Sequence, residues 1–221
     1  MEPVEQIGAD SPDMRVCRGP EAVSADLKRS IRKEKTAARR ALPSDVRKRA
    51  DDAIVQRIFS ILSSCPDCTA LVGYISDGTE PDLTPVLRDA LSSGKTLCLP
   101  RFRDAEHYDL AVVRTLALSD SKFGIPEPPA SAPSADGSDL ENAVWLVPGV
   151  AFDDCCRRLG RGKGVYDRLL SGRRPKLAIG IFYECQRCGS VPVSPHDQPL
   201  DLIITEDRAI PGASLTLSIQ L

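Results

Sequence analysis

At 221 residues the chain is long enough to bury one sizeable hydrophobic core. Its 29 Lys and Arg against 31 Asp and Glu give a formal charge of −2, so no global field selects a nucleic acid or a membrane surface. No apolar run approaches the ~20 residues that span a bilayer, and eight cysteines without a secretory signal point to reduced thiols in the cytoplasm.

In chain order, residues 1–23 carry Pro3, Gly8, Pro12, Gly19 and Pro20 with little periodicity and read as a disordered leader. Ser24 is placed to cap a first helix, in which Leu27, Ile31 and Ala38 recur at helical spacing. Pro43, Ser44 and Asp45 restart a second helix, with Val46, Ala50, Ile54, Ile58, Ile61 and Leu62 on its buried side. A strand is predicted over 69–75, a helix over 82–92 ending at Gly94, and a second strand over 96–99 closed by Pro100. A further strand follows at 107–114, and residues 130–142, rich in Ser, Ala, Pro and Asp, read as a surface loop. The strand at 144–147 continues as an apolar run to Asp153 and into a turn. Strands at 177–182 and 202–205 complete the sheet, and 211–221 form a tail. Helices interleaved with short apolar strands predict an α/β fold, a three-layer α/β/α domain over 24–210 with N-terminal helices. There is no internal repeat.

The most informative stretch is Arg158-Leu159-Gly160-Arg161-Gly162-Lys163-Gly164-Val165-Tyr166-Asp167. Gly160, Gly162 and Gly164 lack a Cβ, so the backbone there can take positive φ and approach a ligand closely. Arg161 and Lys163 bring positive charge to the same turn, whose peptide N–H groups can form an anion-binding nest. A helix opening at Gly164 or Val165 would add its positive end. Asp167 then stands where it could hold a cation that screens phosphates. The alternative is a basic, flexible surface turn. The stretch is not a P-loop, because Val165 follows Gly164 where a hydroxyl is needed. Nor is it the dinucleotide fingerprint, which needs a glycine in place of Val165 and a strand directly before the loop.

Other features have less specific readings. Lys28, Arg29, Arg32, Lys33, Lys35, Arg39, Arg40, Arg47, Lys48 and Arg49 form a basic run that fits either a solvated helix face or a phosphate-binding one. No aromatics interleave with them for base stacking. Cys65/Cys68 and Cys185/Cys188 are two CxxC pairs, with Cys155-Cys156 between; over a hundred residues separate the pairs, unlike a compact zinc ribbon, and incidental thiols are the expectation. His107 and His196 are the only histidines. His196 lies beside Ser194 and Asp197, but sequence neighbours seldom converge as a triad.

An apolar strand, a polar turn, Gly-Arg-Gly-Lys-Gly and then Tyr166-Asp167-Arg168 on a helix is a specific order. It resembles the 5-formyltetrahydrofolate cyclo-ligase (methenyltetrahydrofolate synthetase) family, in which a strand of the type VPGVAFD leads into RLGxGxGYYD. Four further segments fit in the right sequence: 28–32, 73–80, 123–128, and Pro195-His196-Asp197 followed by 202–206, so that the likeness covers residues 24–207. The resemblance implies a NagB/RpiA/CoA-transferase-like fold. It also implies ATP-dependent cyclisation of 5-formyltetrahydrofolate to 5,10-methenyltetrahydrofolate, with ATP as co-substrate and Mg²⁺ bound. It implies ATP binding by Lys28, Arg32, Arg158, Gly160, Arg161, Gly162, Lys163, Gly164 and Tyr166, with Lys163 and Arg161 catalytic at the transferring phosphoryl group. Asp167 and Asp197 match the magnesium positions, and Ile75, Glu80, Phe123 and Val165 those that meet the folate. A monomer acting on a reduced folate, without a membrane or nucleic-acid partner, is the expectation. Three departures stand out: Val165 in place of the first of two paired tyrosines, Cys156 in place of a turn glycine, and the leader before Ser24. They leave open a non-catalytic or RNA-associated relative, or an ATP-using enzyme on another amide.

Overall fold

The computed structural model describes residues 20–104, 107–120, 124–213 and 215. Helix α1 spans Pro20–Arg40 and α2 spans Ser44–Ser63. Ser24 therefore lies inside α1 and does not cap it. Among the described residues the helix already runs from Pro20, four positions earlier. On α2 the buried face is Ala50, Ile54, Val55, Ile58, Ile61 and Leu62. Val46 is exposed, against the sequence expectation, because the first turn of α2 stands proud of the sheet-side core.

Strands β1 (Ala70–Val72), β2 (Thr96–Phe102), β3 (Tyr108–Val113), β4 (Ala143–Pro148), β7 (Leu177–Ile181), β8 (Leu202–Ile204) and β9 (Ala209–Pro211) build a seven-stranded sheet in the order β3-β2-β1-β4-β7-β8-β9. The five central strands pair in parallel, and β3 and β9 close the two edges antiparallel. Strand β2 runs past Pro100 to Phe102. Its pairing with β1 ends at Cys98, so the N–H absent from Pro100 falls where one side of β2 is open. Residues 130–142 lie along β3: the Val112 N–H donates to Pro133 O at 2.9 Å and the Ala135 N–H to Leu110 O at 2.7 Å.

Alternate residues of each central strand feed opposite faces. Leu71, Val144, Leu146 and Ile179 face α2 and α3 (Thr84–Ser92), whereas Val72, Trp145, Val147 and Ala178 face Leu169 and Leu170 of α4 (Val165–Leu170). The sheet is thus covered by helices on both sides, the expected α/β arrangement. Helix α1 packs separately: Ile31 meets Ala151, Leu159 and Val191 at the loop end of the molecule. Leu215 packs against the main core and β9 reaches Pro211, so ordered packing passes residue 210.

The apolar run 146–153 is two strands. It breaks at Gly149, where a Cβ would lie 2.7 Å from the Phe182 ring, and resumes as β5 (Ala151–Phe152), which pairs antiparallel with β6 (Arg158–Leu159). This hairpin carries the glycine-rich loop. The direction of strand succession reverses between β1 and β4, and in open α/β sheets ligands occupy the crevice beyond the carboxyl ends of strands at such a point.

Candidate functional site

A cavity of about 340 Å³ lies beyond the carboxyl ends of β1 and β4. Tyr74, Ile75 and Glu80, which follow β1, form one side. Arg158, Gly160, Arg161, Lys163, Gly164, Val165, Tyr166 and Asp167 form the other, and Tyr108 with Pro126, Glu127 and Pro128 closes the wall. The segments on either side of the cavity are over seventy residues apart in sequence and meet only because β1 and β4 are neighbours. A second depression, about 430 Å³, is lined by Glu34, Lys35, Glu184, Arg187, Cys188 and Gly189. It is larger but holds two acids against two bases and none of the loop, so the site is placed in the first.

Within the loop, Gly162 has φ 102° and Gly164 has φ 59°; Gly160 does not take a positive φ. Two of the three glycines therefore answer to a backbone requirement. Gly164 in the left-handed region turns the chain into α4, which starts at Val165 as expected but has only six residues and so a small dipole. Arg32 on α1 donates from Nε to the Gly160 carbonyl at 2.8 Å, and its guanidinium lies 3.6 Å from where a Cβ on Gly162 would be.

The predicted metal carboxylates each hold a cationic side chain. Asp167 accepts from Arg158 Nη2 at 2.6 Å and from the Gln198 N–H at 3.1 Å, while Arg158 also donates to the Gln198 carbonyl. Asp197 accepts from Lys28 Nζ at 3.0 Å, and Lys28 bonds Ser194 Oγ at 2.8 Å. Burial lowers the Arg158 pKa against the pull of Asp167 and Asp197. Among the described residues no group of three or more His, Cys, Asp or Glu is placed to hold a metal alone. Two hard carboxylates beside a glycine-rich cationic loop are still the donor type that suits Mg²⁺, which usually takes one or two protein carboxylates and completes its shell with water and phosphate oxygens. Asp197, Lys28 and Arg32 do not line the cavity itself; they tie α1 to its loop side.

Glu80 is buried, and it belongs to a four-charge cluster. Arg161 Nη2 bonds Asp77 and lies 2.9 Å from Glu80 Oε1. Arg39 approaches the same pair, 3.3 Å from Asp77 and 3.5 Å from Glu80. Burial pushes the Glu80 carboxyl up, outweighing the two guanidiniums, with Asp77 adding to the push. Asp77 goes the other way: burial opposes, but bonds from the Thr79 hydroxyl and N–H and the two arginines hold it at about 2. Arg161 thus sits on the carboxylate side of the cavity as well as on the loop. Tyr166 is half-buried, its hydroxyl pKa raised by desolvation and by Glu80. Phe123 lies outside the described residues.

Asp77 and Arg39 were not picked out from the sequence. Asp77-Gly78-Thr79-Glu80 is an Asx turn in which Asp77 Oδ1 accepts from the Thr79 and Glu80 N–H groups at 2.8 and 3.0 Å, a pattern readable from Asp and Gly spacing. Arg39 shares a helical face with Lys28 and Arg32, and that periodicity was the available signal. Of the other candidates, Ser194 contacts Lys28, His196 offers its carbonyl to Gln198 at 3.3 Å, and His107 pairs with Asp104. Cys65 and Cys68 are buried in the main core, and Cys185 and Cys188 are half-buried near α1.

The sequence pattern of the 5-formyltetrahydrofolate cyclo-ligase family matches residues 24–206. The mitochondrial 5-formyltetrahydrofolate cyclo-ligase of Arabidopsis thaliana is 28% identical, covering 83% of this chain and 76% of that protein. The Mycolicibacterium smegmatis 5-formyltetrahydrofolate cyclo-ligase is 30% identical over 78% of this chain and 90% of its own. Among solved structures, 5,10-methenyltetrahydrofolate synthetase of Aquifex aeolicus superposes with a TM-score of 0.73 at 32% identity, covering 86% of this chain and 96% of that one. The Mycoplasma pneumoniae synthetase shares the fold, with a TM-score of 0.67 at 23% identity. The chain belongs to the 5-formyltetrahydrofolate cyclo-ligase family.

Proposed function

We propose that this member of the family cyclises 5-formyltetrahydrofolate to 5,10-methenyltetrahydrofolate, consuming ATP and releasing ADP and phosphate. The observation that carries this reading is one cavity with two chemistries facing each other: a glycine-rich cationic loop and, opposite, the buried Glu80 carboxylate. A carboxylate there accepts hydrogen bonds from the N–H and amino groups of a pterin. Val165 and Ile75 supply apolar contact beside it.

A formamide oxygen is a poor leaving group, and phosphorylation changes that. The formyl oxygen attacks the γ-phosphorus of ATP as the bond to ADP breaks. N10 then adds to the activated formyl carbon and loses its proton, and phosphate departs with the former formyl oxygen. Such transfer depends on positioning and charge neutralisation, with no protein nucleophile required. Lys163 and Arg161 serve the transferring phosphoryl group, with the loop amides around Gly160, Gly162 and Gly164. Lys28 and Arg32 serve the nucleotide from α1, Arg158 holds Asp167, and Tyr166 packs against the bound ligand. Asp167 and Asp197 would hold Mg²⁺, which supplies charge neutralisation on phosphate oxygens. We place its action, as a monomer, in the cytoplasm, where eight cysteines stay reduced.

The test is near-ultraviolet absorbance of the methenyl product from purified protein, MgATP and 5-formyltetrahydrofolate. A rise that needs ATP and is lost in Lys163→Ala supports the reaction and the loop together. No rise with folded protein and bound ATP would remove the folate assignment.

A further inference from the structure

Two guanidiniums meet the Asp77–Glu80 pair, and they are held very differently. Arg39 leaves the last turn of α1 with 3% of its side chain exposed. Its Nη1 donates to the Gly149 carbonyl at 3.4 Å, and its buried Nε has no acceptor among the described residues. Arg161 is 46% exposed and rides on a loop flanked by glycines. Glu80 and Arg161 line the cavity; Arg39 stands behind them and does not.

We propose that Arg39 is the positioning residue for Glu80: a fixed counter-ion that keeps this carboxylate ionised and aimed into the cavity when Arg161 is drawn to a phosphate. The inference rests on the reading above of Glu80 as the folate-facing acid and Arg161 as a phosphate ligand.

The charge balance explains why a second arginine is needed. Two carboxylates and two guanidiniums offset each other in this cluster. Arg161 is the nearer and stronger partner of Glu80, so its departure leaves Arg39 as the guanidinium paired with Asp77 and Glu80 among the described residues. Arg47 at the Gly78 carbonyl, Lys163 on the cavity wall and the hydroxyls of Tyr74 and Tyr166 are the other charged or titratable groups nearby. Burial and the like charge of Asp77 then both favour a proton on Glu80. A protonated Glu80 would present a donor where the pterin needs an acceptor. Arg39 cannot follow Arg161 outward, because its guanidinium is enclosed and tied to the Gly149 carbonyl.

The experiment is the pH dependence of methenyl formation at saturating MgATP. Arg39→Gln should move the acid limb of kcat/KM for the folate up by about one pH unit or more, while KM for ATP stays within about threefold. Arg39→Lys, which keeps the charge, should hold the limb near its wild-type position. An unmoved limb in Arg39→Gln, a limb displaced as far in Arg39→Lys, or equal losses toward ATP and folate would overturn the assignment. The Glu80 carboxyl followed by carbon-13 NMR in Arg161→Gln decides the point without any Arg39 variant. Glu80 ionised at neutral pH supports Arg39 as a sufficient counter-ion, and Glu80 protonated refutes it. That titration also separates the two readings: a wild type that forms no methenyl product ends the activity assignment and leaves the Glu80 result standing.

Discussion

Arg32 reaches from α1 to the Gly160 carbonyl, 2.8 Å from its Nε, and so fastens the N-terminal helix to the glycine-rich loop. The bond comes from Nε, which lysine does not have. Arg32→Lys should therefore lose the tether while keeping the charge. A charge-assisted bond of this kind contributes about 1.5–3 kcal/mol, so KM for ATP should rise about tenfold or more, with loop amides exchanging faster. Unchanged loop exchange in that variant would mean the loop holds its shape without α1.

Gly162 at φ 102° adopts a conformation that side chains rarely tolerate, although a Cβ there would meet the Arg32 guanidinium only at ordinary contact distance. Gly162→Ala should cost about 1–3 kcal/mol of local strain. The expected result is weak nucleotide binding in a protein that still unfolds cooperatively. Gly160 has no positive φ and no heavy atom near its missing Cβ, so Gly160→Ala should be much milder in the same calorimetric titration.

Cys156 occupies the left-handed region at φ 56°, although it is not glycine. It stays there because its thiol is buried and donates to the Ile210 carbonyl at 3.2 Å, fixing the β5–β6 turn against β9. Cys156→Gly exchanges that contact for relief of strain, and its urea midpoint should shift by no more than about 1 kcal/mol equivalent. Cys156→Val cannot relax at positive φ and should lose about 2 kcal/mol or more. Equal stability of the two variants would contradict the strain argument.

Asp77 and Glu80 should bend the acid stability profile in opposite senses. The Asp77 pKa is depressed to about 2, so its contribution is present above its unfolded value and is lost as pH falls toward about 2. The Glu80 pKa is raised, so the folded state takes up its proton first and gains stability as pH falls through that range. Asp77→Asn should flatten the urea midpoint below its ordinary carboxylate range, and Glu80→Gln should flatten it just above. A profile identical to wild type in both variants would refute this assignment.

Asp167 and Asp197 each carry a cationic partner, Arg158 and Lys28. If they also hold Mg²⁺, Asp167→Asn and Asp197→Asn should each raise the Mg²⁺ needed for half-maximal rate by about tenfold. An unchanged Mg²⁺ requirement, with stability lowered, would confine both residues to anchoring Arg158 and Lys28.

Much of this molecule was legible in its residues, and for identifiable reasons. Strand and helix positions followed local periodicity: Ile54, Ile58 and Leu62 marked the inner face of α2, and the apolar runs 177–182 and 202–205 contain β7 and β8. Exceptions arose where a neighbour overrode a local rule. Pro100 sits inside β2 because the pairing with β1 has already ended, and position 149 must be glycine because the Phe182 ring occupies the space a side chain would need.

The order of residues by itself determined the loop, its glycines and cations, and, with four further segments in the right order, the family. The tertiary structure decided what those groups face. Asp77, Glu80, Arg39 and Arg161 come from α1, the turn after β1 and the loop after β6, and no local pattern specifies that they meet. Their meeting follows from the parallel pairing of β1 with β4, a long-range choice made by burial of both strands on both faces.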